Sequence, residues 1–168
     1  DPSVAELIQK TGENLHRFLQ PRALYRILDY EQTNRHPVFK DAKKVALCLC
    51  TIGPKLEEEV ARLMDANELL KALILDAFGS EAVEEVAIQS DQYLAKEARE
   101  LGLWPSKRFS PGYGQWDLRE QHFIFRMLPA HEIGVHLNPL SCMMIPRKSI
   151  SFRMNFYTDK DLSKRRMI

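Results

Sequence analysis

The apolar residues at the start of the chain recur at the spacing of one helix face. They are Val4, Leu7, Ile8, Leu15, Phe18 and Leu19. This pattern predicts two helices over residues 3–30, with Gly12 weakening the first and Pro21 beginning the second. Residues 31–42 are polar and contain Pro37, so we expect a connector there. Residues 1–42 are therefore predicted to be an N-terminal helical segment.

A continuous apolar run from Val45 to Ile52 has the length and composition of a buried strand. Two helices should follow, one from about Lys55 and a longer one from about Glu68 to Glu100. Their predicted apolar stripes are Leu56, Val60, Leu63 and Met64 in the first, and Leu69, Leu70, Leu73, Ile74, Val83, Val86, Ala87, Leu94 and Ala98 in the second. Gly79 interrupts the longer helix. A mid-helix glycine costs about 1 kcal/mol relative to alanine, so we expect a close helix contact or a kink there.

The pattern changes after this helix. Residues 104–116 contain two prolines and two glycines, which predicts a loop. Asp117 and Glu120 have capping-box spacing, and a helix that ends at Pro129 should follow them. Its predicted stripe is Leu118, Ile124, Phe125 and Leu128. A short strand is expected over residues 133–137.

Strict alternation of apolar and polar residues marks the last predicted strand. Ile150, Phe152, Met154 and Phe156 should face inward, while Ser149, Ser151 and Arg153 should lie on a solvent-exposed face. Helices and strands are mixed without a regular βα alternation, which favours an α+β fold. We expect a single domain over residues 1–168, with a core over 43–157 and a basic tail over 158–168.

Composition narrows the class of protein. Of the 168 residues, 45% are hydrophobic and 28% are charged, so the chain can bury a sizeable core. No run of about 18 apolar residues is present, which argues against a membrane span. The three cysteines, Cys48, Cys50 and Cys142, do not form a disulfide framework. We expect a reducing, cytoplasmic environment, with Cys48 and Cys50 as buried small hydrophobes rather than a metal or redox pair.

Charge is distributed unevenly, with a net −5 over residues 1–100 and +6 over residues 101–168. The basic part could attract an anionic ligand or an acidic partner, or it could be solvated surface. Its loop 104–116 holds the richest set of candidate groups, which are Arg108, Phe109, Tyr113, Trp116, Gly112 and Gly114. Arginine clamps carboxylates or phosphates, and glycine lets the backbone approach a ligand. The alternative is a surface loop whose aromatic rings cap the core.

Two further function classes receive little support from the residues. The aromatic side chains of the loop could stack on nucleic-acid bases, but the pI of about 7.9 and the acidic helices disfavour that function. We expect neither nucleic acid nor a membrane as a partner. The sequence contains no nucleophile elbow, P-loop or dinucleotide fingerprint, and its five histidines are scattered. It therefore predicts neither catalytic residues nor metal ligands of its own.

Residues 108–113 read Arg-Phe-Ser-Pro-Gly-Tyr. They resemble the Arg-x-x-x-Gly-Tyr motif in the activation domain of cobalamin-dependent methionine synthase. An Ile-Gly-Val turn at 133–135 and a Met-Ile-Pro segment at 144–146 follow in the family's order, before a Ser-Ile-Ser strand at 149–151. The resemblance covers about residues 45–157 and is specific from 108 to 151.

The resemblance implies an α+β domain with a twisted antiparallel sheet flanked by helices. It also implies binding of S-adenosylmethionine, whose methyl group is donated to a corrinoid after one-electron reduction of cob(II)alamin. By position, Arg108 would clamp the methionine carboxylate, the backbone at Ser110 and Gly112 would contact the ligand, and Tyr113 and Gly114 would line the site. Cobalamin would be held by a partner, since the sequence has no Asp-x-His-x-x-Gly motif. The implied partners are a corrinoid-binding protein or methionine synthase core, and a flavodoxin- or ferredoxin-type electron donor.

Two departures from the family pattern leave an alternative open. The family motif continues x-Ala-Cys, whereas this chain has Gly114-Gln115-Trp116. An acidic residue of the long helix helps to hold the ligand in the family, and it aligns here near Ile88 or Gln89, while Glu84, Glu85 and Asp91 are expected on other faces. The alternative is a non-enzymatic module that docks on a corrinoid protein without using S-adenosylmethionine.

Overall fold

A four-stranded antiparallel sheet lies at the centre of the computed structural model, which describes residues 3–33, 36–114, 116–159 and 161. Its strands are β1 (Arg22–Asp29), β2 (Lys44–Thr51), β3 (Trp104–Pro105) and β6 (Ser149–Tyr157), in the order β1-β2-β6-β3. A separate two-stranded ribbon pairs β4 (His136–Leu137) with β5 (Met144–Ile145).

The described residues also form four α-helices: α1 (Val4–Asn14), α2 (Lys55–Asp65), α3 (Leu69–Glu100) and α4 (Gln121–Met127). Short 3₁₀ helices span Leu15–Arg17, Tyr30–Thr33, Pro37–Phe39, Leu118–Glu120 and Ala130–Ile133. This arrangement confirms the predicted α+β class with an antiparallel sheet flanked by helices. Within the described part of the chain, no helix has the length and low polarity that a membrane crossing requires.

Side chains of the sheet alternate between its two faces, and other elements cover both faces. On one face, Cys48, Cys50 and Phe152 pack with Ala87 and Leu94 of α3. The opposite face is covered by the 3₁₀ helix at residues 37–39, by Trp116 and by α4. A third cluster joins α2 to the first half of α3. Cys48 and Cys50 are fully buried, as expected, with 3.7 Å between their Sγ atoms.

The helix predicted over residues 22–30 is wrong, since residues 22–29 form strand β1. Its residues Ala, Leu and Arg favour helices by intrinsic propensity. Pairing overrides that preference: all eight residues of β1 are in register with β2, from Arg22 opposite Thr51 to Asp29 opposite Lys44. The first predicted helix is confirmed as α1. The sheet therefore extends into the predicted N-terminal helical segment.

The apolar stripe of α3 differs from the predicted one in its first turns. Leu69, Leu70 and Leu73 are exposed, while Ala72 and Leu75 are buried. Gly79 marks a close helix contact, as predicted: a Cβ atom at this position would lie 2.6 Å from Cδ2 of Leu56 in α2. Small residues therefore bring α3 close to α2, and the larger leucines at its start point outward.

Two predictions for the second half of the chain need correction. The strand expected over residues 133–137 is limited to His136–Leu137, because Gly134 adopts φ 73° and ends a 3₁₀ helix. The polar face of β6 is buried rather than solvent-exposed: Ser151 is 2% and Arg153 7% exposed. The alternation itself is confirmed, but a second layer of structure covers the polar side chains. Most of the predicted basic tail lies outside the described residues.

Candidate functional site

A cleft of about 610 Å³ opens where the outer edge of β6 is left uncovered by β3. It is bounded by α3, the loop after β3, the start of α4, β5 and β6. The residues that line it are Glu84, Arg108, Phe109, Ser110, Pro111, Tyr113, Gln121, Met144, Ser149, Ile150 and Ser151. Its volume is in the range of small-molecule sites, which usually enclose about 300–1,000 Å³.

The loop that forms one wall is held to β6 by its backbone. The N–H of Phe109 donates to the carbonyl of Arg153 at 2.9 Å, and the N–H of Arg153 donates to the carbonyl of Phe109 at 2.8 Å. Ser106 adds a second attachment, since its backbone N–H donates to the carbonyl of Asn155 at 2.8 Å. Arg108 lies between these two attachments, so its position relative to the sheet is well defined.

Arg108 is directed towards the long helix. Its guanidinium forms an ion pair with Glu84 of α3, and its Cζ lies 5.9 Å from the ring centroid of Phe152. The Nη1 atom of Arg108 is buried and makes no hydrogen bond within the described part of the chain. A buried guanidinium nitrogen without an acceptor can donate to an anionic group of a ligand.

A second carboxyl group, that of Asp91, interacts electrostatically with Arg108. Burial raises the pKa of Asp91, and the positive charge of Arg108 partly opposes the rise. The Oδ1 atom of Asp91 is buried without a hydrogen-bond partner among the described residues. One cation and two carboxyl groups are therefore gathered between α3 and the loop, and one buried polar atom each of Arg108 and Asp91 makes no hydrogen bond among the described residues.

The expectation that Glu84 lies on a face of α3 away from the site is wrong, whereas Asp91 does not line the cleft. Glu84 lines the cleft, whereas Ile88 and Gln89, at which the alignment placed the acidic residue, do not. An alignment without structure could not decide among these residues because they lie within two turns of one helix. The ion pair with Arg108 identifies Glu84 as the carboxylate of α3 in the cleft.

The sequence-predicted site residues divide into two groups. Arg108, Ser110 and Tyr113 line the cleft, and the Tyr113 side chain is 73% exposed. Gly112 and Gly114 do not line it. Gly112 has φ 90° and its N–H donates to the carbonyl of Trp116 at 2.7 Å, so it forms a tight turn in a conformation that suits glycine.

The aromatic side chains of the loop also fall into two groups, one in the core and one at the cleft. Trp116 is 3% exposed and belongs to the core, which agrees with the alternative that loop rings cap the core. Phe109 is half exposed at the cleft. Gln121 also lines the cleft, although it was not predicted, and its Oε1 atom accepts from the Ser151 hydroxyl at 2.7 Å. No group of three or more potential metal ligands occurs among the described residues.

No protein-family model matches the sequence, and no curated protein matches it. Among solved structures, the chain is similar to a crystal structure of the MetH reactivation domain bound to AdoHcy. The superposition has a TM-score of 0.53 at 16% sequence identity, and it covers 95% of this chain and 68% of the other. At this identity the comparison establishes a shared fold.

Proposed function

We propose that this chain binds S-adenosylmethionine, or its demethylated product S-adenosylhomocysteine, in the cleft beside β6. The observation that carries the proposal is the ion pair of Arg108 and Glu84 in the lining of this cleft. The amino-acid end of such a ligand carries a carboxylate and an ammonium group, which a guanidinium and a carboxylate complement. A neighbour of the same fold contains AdoHcy, which supports this class of ligand.

The residues of the cleft fit the ligand in chemistry and in size. The buried, unpartnered Nη1 atom of Arg108 supplies a donor for the ligand carboxylate. Glu84, which is 43% exposed at its side chain, supplies an acceptor for the ammonium group. Ser110 and Tyr113 line the rest of this wall. Gly112 and Gly114 would act on the ligand by shaping the loop.

We further propose that the bound ligand serves to reactivate the corrinoid of a separate methyltransferase or methionine synthase in the cytoplasm. One electron from a flavodoxin- or ferredoxin-type donor would convert the partner's cob(II)alamin to cob(I)alamin. The methyl group would then pass from the sulfonium to cobalt(I), which leaves S-adenosylhomocysteine and methylcobalamin. The protein has to place the donor and exclude water, which requires no nucleophile of its own.

Two observations favour the alternative of a docking module that does not use this ligand. Arg108 already has a partner in Glu84, so an incoming carboxylate has to compete for the guanidinium. Apolar side chains are also exposed at the cleft, with Tyr113 at 73% and Phe109 at 46%. Exposed apolar groups of this kind occur at protein–protein contacts.

Calorimetric titration with S-adenosylhomocysteine separates these two functions. The proposal expects saturable binding to the chain alone or to its mixture with a corrinoid protein. Reactivation is then tested by methylation of cob(II)alamin on that partner, with S-adenosylmethionine and a one-electron reductant. Absence of binding in both titrations contradicts the proposal. The alternative survives that result only if the corrinoid protein forms a complex with the ligand-free chain.

A further inference from the structure

The cleft beside β6 extends from one face of the sheet to the other, across the outer edge of this strand. The loop after β3 crosses the same edge, and its consecutive residues Arg108 and Phe109 contact opposite faces. The Arg108 guanidinium lies over Phe152, which belongs to the cluster on the α3 face. The Phe109 ring contacts the guanidinium of Arg153, which also lies over Trp116 on the opposite face. A ligand held at Arg108 therefore has its other end on the Phe109 side of the cleft.

One polar side chain on the Phe109 side is buried and has a fixed orientation. Gln121, the first residue of α4, lines the cleft and is 5% exposed. Its Oε1 atom accepts from the Ser151 hydroxyl at 2.7 Å, so the amide cannot be reversed without loss of this bond. Its Nε2 atom has no hydrogen-bond partner among the described residues, although buried amide groups usually have one. The amide therefore offers N–H donors to a molecule in the cleft.

The edge of β6 beside Gln121 offers backbone groups as well. The N–H and C=O of Arg153 point away from β2, since both bond to Phe109. Alternate residues of a strand direct these groups to the same edge, so those of Ser149 and Ser151 also point away from β2. β3 pairs further along β6, and among the described residues no strand pairs with Ser149 or Ser151 on this side. Both N–H donors and C=O acceptors of the strand are therefore open to the cleft.

An aromatic ring lies next to these groups along the strand. Phe109 is opposite Arg153, which is two residues and about 7 Å along β6 from Ser151. The guanidinium of Arg153 lies 4.9 Å from the centroid of the Phe109 ring and holds it in place. Phe109 nevertheless remains 46% exposed and lines the cleft. A flat heterocycle can stack on this ring while its polar edge reaches Gln121 and the strand.

We propose that this side of the cleft recognises an adenine base. The Gln121 amide donates to a ring nitrogen of the base, the free edge of β6 accepts from its 6-amino group, and the base contacts Phe109. Adenine fits because it combines ring-nitrogen acceptors with an amino donor on one flat ring system. Ser151 is a positioning residue, because its hydroxyl sets the orientation of the Gln121 amide. The inference rests on the function proposed for the cleft, since it assigns the nucleoside end of the same ligand.

The test uses adenosine, which lacks the amino-acid end of the ligand, and analogues that each lack one polar group of the base. These are 1-deazaadenosine, 3-deazaadenosine, 7-deazaadenosine and purine riboside, the last of which lacks the 6-amino group. Each is titrated into the full chain and followed by NMR, and adenosine should shift the side-chain amide signal of Gln121. Purine riboside and one of the deaza analogues should bind about threefold to tenfold more weakly than adenosine, as loss of one hydrogen bond implies.

Gln121→Met removes the amide and keeps the length of the side chain. It should bind that deaza analogue as well as it binds adenosine, and it should still prefer adenosine to purine riboside. Ser151→Ala should lose the same discrimination because the amide is no longer held, whereas Ser151→Thr, which keeps the hydroxyl, should retain it. Gln89→Met is the matched control and should behave as the wild type, because Gln89 is exposed, bonds to Glu85 and does not line the cleft.

Several results would overturn the adenine site. They are the absence of adenosine binding, equal affinity for adenosine and all its analogues, and a Gln121→Met variant that weakens every nucleoside alike, as a merely structural role implies. If Gln121→Met does not fold, the two Ser151 variants give the same readout. Failure of the proposed function is distinguishable: discrimination among the nucleosides without binding of S-adenosylhomocysteine contradicts that function and supports the adenine site. Binding of S-adenosylhomocysteine without such discrimination has the opposite meaning.

Discussion

Phe109 and Arg153 exchange two backbone hydrogen bonds, and the guanidinium of Arg153 also stacks on the Phe109 ring at 4.9 Å from its centroid. The same guanidinium lies 5.0 Å from the ring of Trp116 and 5.6 Å from the ring of Phe39. It is 7% exposed and donates to Oδ1 of Asn155 at 2.8 Å. Arg153 therefore joins the cleft loop to the core beneath it.

Arg153→Ala should destabilise the protein by about 2–4 kcal/mol. The substitution removes a buried charge-assisted hydrogen bond, worth about 1–2 kcal/mol, and three cation–π contacts of about 0.5–1 kcal/mol each, which share one guanidinium and are not additive. Urea unfolding followed by circular dichroism measures the change. Arg126→Ala, at an exposed position of α4, is the control and should change stability by less than about 0.5 kcal/mol. Equal effects of the two substitutions would contradict the role assigned to Arg153.

Sequence reasoning predicted elements well where a local pattern determined them. The continuous apolar run at residues 45–52 and the alternation at 149–157 predicted the two central strands. A strand buried on both faces is apolar throughout and a strand with one apolar face alternates, so each segment contains its own signal. Strand β1 was not predicted because its conformation is determined by pairing with β2. Residues 22–29 include good helix formers, but they form a strand in register with β2. Local propensity cannot contain that information.

The site was predictable only in part for a related reason. Arg108, Ser110 and Tyr113 lie together in one loop motif, and all three line the cleft. Glu84 is 24 residues away along the chain and joins them only through the packing of α3 on the sheet. The burial of Arg153 also depends on a layer contributed by distant segments. Motifs therefore identified the loop, but the folded chain was needed to identify its partners.

Phe152→Ala should cost about 3–5 kcal/mol of stability, since Phe152 is fully buried between α3 and the sheet. The loss combines the free energy that burial of the ring contributes with the cost of the cavity that remains. Leu140→Ala removes apolar atoms at a position that is 95% exposed and should be nearly neutral. Thermal unfolding of both variants checks the pair, and a small effect of Phe152→Ala would place that ring outside the core.

Gly79→Ala should destabilise the protein by about 1–3 kcal/mol despite the better helix propensity of alanine. The new Cβ would lie 2.6 Å from Cδ2 of Leu56, which has to move. The effect should reverse in a Leu56→Ala background, where the space is free and the helix gains about 1 kcal/mol from alanine. A double-mutant cycle measures this coupling. Additive effects of the two substitutions would show that the contact does not limit the helix pair.

Asp91→Asn should stabilise the protein near neutral pH. Because burial raises the pKa of Asp91 above its ordinary value of 3.8, folding favours the protonated carboxyl group. The stability that the neutral form provides is complete below 3.8 and is lost as the pH rises through the higher pKa of the folded state. The difference in unfolding temperature between Asp91→Asn and wild type should therefore shrink towards zero below pH 3.8. A difference independent of pH would point to a cause other than this carboxyl group.

Arg108→Ala should weaken binding of S-adenosylhomocysteine by about 2–4 kcal/mol, because the ligand carboxylate is left without its partner in a partly desolvated cleft. Arg108→Lys should recover only part of the loss, since lysine lacks the planar fork of the guanidinium. Lys107→Ala is the control, because Lys107 is the adjacent cation, is exposed and does not line the cleft. Calorimetry on the three variants, with unfolding curves for each, separates binding from folding.

Glu84→Gln distinguishes between two roles that Glu84 could have towards the ligand. If Glu84 only competes for Arg108, removing its charge should tighten binding of the ligand. If Glu84 holds the ammonium group, the same substitution should weaken binding. The proposed function requires the second result, and tighter binding would remove Glu84 from the ligand site.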